Sequence, residues 1–169
     1  PILGPDFRDC NALIMTNGKA VAMMHMSPYA LHYDEGKPTE YNIDPRRTDY
    51  IGEVVRLLKK LFPDANNTQE ALSEKQFTET EANLRVSVIG GSTVLKGILY
   101  SLFEGGGRHV QHPRKDGASL SIPKVIPSVA AFGNGPKTIL ATPDKILVKG
   151  ETDNIIWETD YKPFYYGQL

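Results

Sequence analysis

The sequence predicts one α+β domain, residues 1–169, with layers built on a mixed or antiparallel β-sheet and two main helices. Three patterns predict this class: two apolar runs around Asn17-Gly18, two stretches of apolar residues at helical spacing, and a late pair of short apolar runs around Pro143-Asp144. With 169 residues, 40% of them hydrophobic, the chain can form one substantial core.

The first predicted element is a β-hairpin. Residues 10–15 and 19–26 are apolar runs on either side of Asn17-Gly18. This dipeptide favours a two-residue type I′ turn, whose central positions both need a positive φ. Counting outward from such a turn, we expect Cys10 to face His25 directly across the two strands.

The two main helices follow the hairpin. Asp44 is a good N-cap for a helix that Pro63-Asp64 would end, and its apolar residues recur at helical spacing. Residues 84–89 predict a strand, and Ser92 is a candidate N-cap for a second helix that Gly105-Gly106-Gly107 would terminate.

The rest of the chain predicts shorter elements. Residues 63–82 are polar and predict a surface excursion with a short helix from Thr68. Residues 108–121 predict a basic loop. Residues 137–141 and 146–149 predict a second hairpin.

Composition narrows the expected partners. The formal net charge of −1 gives no general electrostatic attraction to nucleic acid or to an anionic membrane. No apolar run approaches the roughly 20 residues that span a bilayer, so we expect no membrane insertion, and no signal peptide is visible. His109 and His112 lie in the basic loop without further ligands nearby, so we expect no metal or cofactor. The oligomeric state stays open.

The chain has a single cysteine, so no disulfide can form within it. A lone cysteine is more often a small buried apolar residue than a nucleophile. The expected register favours chemistry, because directly opposed residues have Cβ atoms about 4.5–5.5 Å apart. The His25 imidazole could then accept the Cys10 proton and hold a thiolate–imidazolium pair. The polar segment 5–9 is expected to be irregular, with N–H groups free to stabilise an oxyanion.

Further motifs accompany this pair in chain order: His25-Met26-Ser27-Pro28, Thr48 to Glu53, Val88-Ile89-Gly90-Gly91-Ser92, and the segment from Lys137 to Lys149. Over roughly residues 8–150 the chain resembles the bacterial chemoreceptor glutamine deamidases of the CheD family. It also resembles the catalytic domains of cytotoxic necrotizing factor toxins.

The resemblance implies a CheD-like fold with Cys10 as nucleophile and His25 as base. The implied reaction converts a glutamine of a target protein to glutamate through a thioester, without a cofactor. It also implies a place of action, either the bacterial cytoplasm or, for a secreted toxin or effector, the cytosol of a host.

The group that orients His25 is open. The CheD family has a Thr shortly before the cysteine, and residues 1–9 contain none. A backbone carbonyl could take the role, as in the toxins, and the side-chain candidates for an orienting or oxyanion role are Asp6, Asp9, Asn11, Ser27 and Ser92. Two alternatives to a deamidase also stay open. One is an inactive binding or regulatory module of the same fold, and the other is a related thiol protease or transglutaminase.

Overall fold

The computed structural model describes residues 1–7, 9–33, 41–43, 49–66, 71–105, 109–111, 119–131, 136–152 and 154–159. The strands are β1 Ile2–Phe7, β2 Asn11–Thr16, β3 Val21–Met26, β4 Leu31–Tyr33, β5 Tyr41–Ile43, β6 Arg85–Gly90, β7 His109–Gln111, β8 Ser119–Ser121, β9 Ser128–Ala130, β10 Lys137–Ala141, β11 Ile146–Lys149 and β12 Ile155–Thr159. The helices are α1 Tyr50–Leu61, α2 Glu74–Asn83 and α3 Thr93–Glu104. This content confirms the α+β class.

Two four-stranded sheets organise the described residues. The first has the order β1-β10-β11-β12 and is antiparallel throughout. The second has the order β3-β2-β6-β9 and is mixed, because β6 and β9 pair in parallel. Two short antiparallel pairs, β4-β5 and β7-β8, complete the strands.

Strand β2 lies between two apolar clusters and is buried along its whole length. Leu13 and Met15 belong to a cluster with the buried residues of α1 and α3. Ala12 and Ile14 face the other way, into a second cluster with residues of the first sheet: Ile139, Ala141, Ile146 and Val148. This alternation is the period-two pattern of a strand covered on both faces. The layers are therefore helices, second sheet and first sheet.

The helices differ from the predicted ones at two points. Helix α1 begins at Tyr50, where the Asp49 side chain accepts the Gly52 N–H at 3.1 Å, and not after Asp44, which lies outside the described residues. Besides the two main helices, the described residues contain α2, in the region where a short helix from Thr68 was expected. Thr68 lies outside the described residues, and α2 starts later, at a capping box of Ser73 and Gln76.

The second half of the chain confirms two predictions and changes a third. Ser92 is the N-cap of α3, as predicted, and the late hairpin is confirmed as β10 and β11. The expected loop at 108–121 contains the paired strands β7 and β8, while His112 lies outside the described residues.

Candidate active site

The turn between β2 and β3 sets the register of the hairpin. Thr16 pairs with Val21, so the loop has four residues and not the expected two. The Asn17 side chain closes this loop, because its Oδ1 accepts the N–H groups of Lys19 at 2.9 Å and Ala20 at 2.7 Å. An asparagine side chain that binds the backbone two or three residues ahead substitutes for a regular turn hydrogen bond.

The prediction that Cys10 faces His25 is therefore wrong. The residue opposite His25 is Ala12, and the last pair of the ladder is Asn11 with Met26. Each strand residue meets a partner two positions away from the expected one. A continuation of the ladder would lead from Cys10 to Ser27.

A shift of two residues keeps every side chain on its original face, because strand side chains alternate with a period of two. Cys10 is half-buried and packs against the cluster that contains Ala12. His25 lies opposite Ala12 on that face and is exposed. Extended by one residue beyond Asn11, the ladder makes Cys10 and His25 diagonal neighbours, a relation in which Cα atoms are typically about 7–8 Å apart.

The backbone of Cys10 lies against the end of β6. Its carbonyl oxygen accepts the Gly91 N–H at 3.4 Å. Gly90 has a φ of +145°, which L side chains rarely adopt, and a Cβ there would lie 2.3 Å from the Cys10 oxygen. Glycine at position 90 therefore permits a backbone approach that no other residue allows. The first turn of α3 follows directly.

Asn11 and Ser92 join α3 to β2. Asn11 is fully buried, and its Nδ2 donates to the Ser92 carbonyl oxygen at 3.1 Å. Its Oδ1 has no hydrogen-bond partner among the described residues. Ser92 Oγ accepts the Leu95 N–H at 3.3 Å. Asn11 lies on the face of β2 opposite to Ala12, so its carboxamide is directed away from His25.

The remaining candidates lie near the same end of the hairpin. Ser27 Oγ accepts the Tyr29 N–H at 3.3 Å and caps a short 3₁₀ turn. Asp9 is exposed. The segment 5–9, expected to be irregular, contributes to β1 as far as Phe7. Within β1 the register shifts between Gly4 and Phe7, and Asp9 lies in a bend. Arg8 and the Asp6 side chain lie outside the described residues.

Sequence reasoning missed Lys96. This lysine is only 4% exposed, and its Nζ donates to the Gly90 carbonyl oxygen at 2.7 Å. Burial lowers the pKa of its ammonium group. The signal was present in the sequence, because Lys96 is adjacent to Leu95 and three residues before Leu99 on the buried stripe of α3.

The comparisons with known proteins add no family: no family model, no curated protein and no solved structure matches the chain. Among the described residues there is no group of three or more His, Cys, Asp or Glu side chains that could hold a metal ion. Nor does that part of the chain contain a helix with the length and apolar character needed to cross a membrane.

Proposed function

We propose that the protein is a cysteine-dependent hydrolase with a CheD-like fold that deamidates a glutamine side chain of a target protein. The observation that carries the proposal is the parity of the hairpin, which directs Cys10, the residue before β2, and His25 of β3 to the same face at its open end. Nucleophilic catalysis by cysteine needs a base within hydrogen-bond reach of the thiol, and diagonal positions across two strands are close enough for long or aromatic side chains to meet.

The chemistry assigns one role to each residue. His25 accepts the proton of Cys10, and the thiolate sulfur attacks the carbon of the glutamine side-chain amide. The tetrahedral intermediate collapses when His25 returns that proton to the leaving nitrogen, so that ammonia departs and a thioester remains. Water, deprotonated by His25, then attacks the thioester and releases glutamate and the thiol. The sum is amide plus water giving carboxylic acid plus ammonia, with no cofactor.

The resemblance to CheD deamidases and necrotizing factor toxins supports a protein as the substrate. The exposed position of His25 suits a bulky substrate, because a glutamine on a protein surface can reach it without entering a deep cavity. We propose the bacterial cytoplasm or, for a secreted effector, a host cytosol as the place of action.

Ammonia release from the glutamine side chains of an unfolded protein tests the proposal. We expect the wild-type protein to release ammonia from unfolded casein, with glutamine-to-glutamate conversion seen by peptide mass spectrometry. Cys10→Ser and His25→Ala should abolish the conversion. Hydroxylamine should trap the thioester as a hydroxamate in the wild type only.

Three outcomes contradict the proposal. Full deamidation activity in Cys10→Ser would show that Cys10 is not the nucleophile. Cleavage of the peptide bond would indicate a thiol protease, and incorporation of an added primary amine without hydrolysis would indicate a transglutaminase.

The second candidate is a binding module of the same fold without activity. The packing of Cys10 against an apolar cluster favours it, because a small apolar residue would serve there equally well. The rate of alkylation by iodoacetamide separates the two. A Cys10 rate no faster than that of glutathione, unchanged by His25→Ala, would favour the binding module.

A further inference from the structure

Lys96 is a buried cation that the proposed reaction leaves unused. It is 4% exposed, and none of the ion pairs among the described residues includes it. A buried charge without a counter-ion costs free energy, and such groups are kept mainly where they have a role. Desolvation lowers the pKa of the ammonium group, which is consistent with this cost.

One peptide group connects this cation to Cys10. The carbonyl oxygen of the Gly90–Gly91 peptide accepts Lys96 Nζ at 2.7 Å. The N–H of the same peptide donates to the Cys10 carbonyl oxygen at 3.4 Å. A charge-assisted hydrogen bond at the oxygen polarises the peptide and strengthens its N–H as a donor. The ammonium group therefore acts on the Cys10 backbone through a single peptide.

A second source of positive potential, the N-terminus of α3, is held close to Cys10 by its neighbour in the chain. Asn11, next to Cys10, is fully buried with its Nδ2 on Ser92, which holds the N-terminus of α3 against β2. The helix N-terminus and the ammonium group both place positive potential on the helix side of β2. The Cys10 side chain lies on the other face, so only the strand backbone separates it from these two sources of positive potential.

We propose that Lys96 is a positioning residue for Cys10, holding the Gly90–Gly91 peptide and raising the positive potential at the sulfur, where thiolate charge develops. This inference rests on the proposed function, since it assigns Lys96 to the reaction at Cys10. Lys96 does not touch the substrate, and it acts through the peptide and through its charge.

Two alkylating reagents of different charge test the inference. Iodoacetate is an anion and iodoacetamide is neutral, so the ratio of their rates with Cys10 reports local potential without any substrate. We expect Lys96→Gln, which keeps a donor for Gly90 but loses the charge, to lower this ratio by about threefold or more. Lys96→Arg should keep most of the wild-type ratio, and Lys96→Met should also lower the rate with iodoacetamide.

Lys60→Met is the matched control. Lys60 is exposed in the last turn of α1. That turn lies at the other end of β2, where Asn17 Nδ2 donates to Leu61 O at 2.6 Å. Six residues of strand separate this end from Cys10, which is about 20 Å. The control should leave the ratio unchanged, and urea unfolding of each variant checks that it is folded.

An unchanged ratio in folded Lys96→Gln would overturn the inference. It would leave the proposed function standing if Cys10→Ser still abolished ammonia release. A lowered ratio in Lys96→Gln together with full ammonia release by Cys10→Ser would support the effect of Lys96 on the Cys10 sulfur and contradict the proposed function. If neither Lys96→Gln nor Lys96→Met folds, the test uses the wild-type protein. A wild-type ratio that exceeds the ratio for glutathione and falls with added salt would support the inference. A wild-type ratio equal to that of glutathione would overturn it.

Discussion

The two ends of strand β2 are built in opposite ways. At the turn end, the polar side chains are well supplied with partners: Asn17 binds two N–H groups and the end of α1, and the Thr16 hydroxyl lies 2.8 Å from Ala20 O and 3.0 Å from Pro143 O. At the open end, Asn11 Oδ1 is buried without a described partner and Lys96 is a buried cation. Each end has a glycine with a positive φ, but a Cβ at Gly18 would meet no atom within 4 Å, whereas one at Gly90 would clash with the Cys10 backbone.

This difference separates the part that determines the fold from the part that carries the candidate chemistry. Features that cost stability are concentrated at the open end, beside Cys10 and His25. Costly local features persist mainly where function requires them. The comparison therefore supports placing the candidate site at the open end.

The largest expected effect is at Gly90. Gly90→Ala would place a Cβ 2.3 Å from the Cys10 carbonyl oxygen and 2.7 Å from Asn11 Cα, in a backbone conformation that alanine rarely adopts. Clash and strain together should lower the free energy of unfolding by about 3–5 kcal/mol. Urea unfolding measures the change.

Gly97→Ala is the control for this substitution, because Gly97 lies in α3 and a Cβ added there would meet no atom within 4 Å. We expect a gain of about 0.5–1 kcal/mol there from helix propensity. Equal effects at the two glycines would remove the argument that the open end is the strained one.

The next effect concerns the turn end. Asn17→Ala removes the acceptor for Lys19 and Ala20 and the donor to Leu61, so we expect a loss of about 2 kcal/mol. Thermal unfolding measures the loss. Asn17→Ser is its control, because a serine hydroxyl can still accept backbone N–H groups two or three residues ahead and is too short to replace the bond to Leu61. A loss in Asn17→Ser as large as in Asn17→Ala would show that the acceptor does not hold the turn.

A smaller loss is expected at the matching asparagine of the open end. Asn11→Ala loses the hydrogen bond to Ser92 but also removes the buried Oδ1, so the net cost should be about 1 kcal/mol. Ser92 O keeps the Lys96 N–H as a donor. The same denaturation experiment compares both asparagines. A greater loss for Asn11→Ala than for Asn17→Ala would reverse the contrast between the two ends.

The smallest effect is a dependence on pH. Burial lowers the pKa of Lys96 in the folded state below its ordinary value of 10.5, so the charged form destabilises the fold. Between the lowered pKa and 10.5 the unfolded chain binds more protons than the folded one, and the stability of the wild type rises with pH. We expect Lys96→Met to lack this rise when the two proteins are unfolded in urea at about pH 7 and about pH 10. Parallel changes in both proteins would show that Lys96 carries no such cost.

Local signals in the sequence were sufficient for some elements. Ser92 as a cap, the buried stripe of α1 and the hairpin of β10 and β11 follow from neighbouring residues alone. Strand β1 was missed because its partner β10 is about 130 residues away along the chain, and because Gly4 and Pro5 conceal the strand pattern.

The site was predictable only in part. Asn17-Gly18 is compatible with both a two-residue and a four-residue turn, and the outcome depends on bonds from the Asn17 side chain to Lys19, Ala20 and Leu61. The shared face of Cys10 and His25 survived this error because both registers have the same parity. The Gly90 contact with Cys10 depends on tertiary approach, which no local pattern reveals.

The second apolar cluster has a consequence for the order of folding. The surface on which Cys10 packs is supplied by Ile139, Ala141, Ile146 and Val148, and the Thr16 hydroxyl reaches Pro143, 127 residues further along the chain. During synthesis the hairpin with the thiol leaves the ribosome early, while these residues are still unmade. Contacts of such long separation form late, so the arrangement around Cys10 is completed near the end of folding, after the strands that carry Cys10 and His25 have paired.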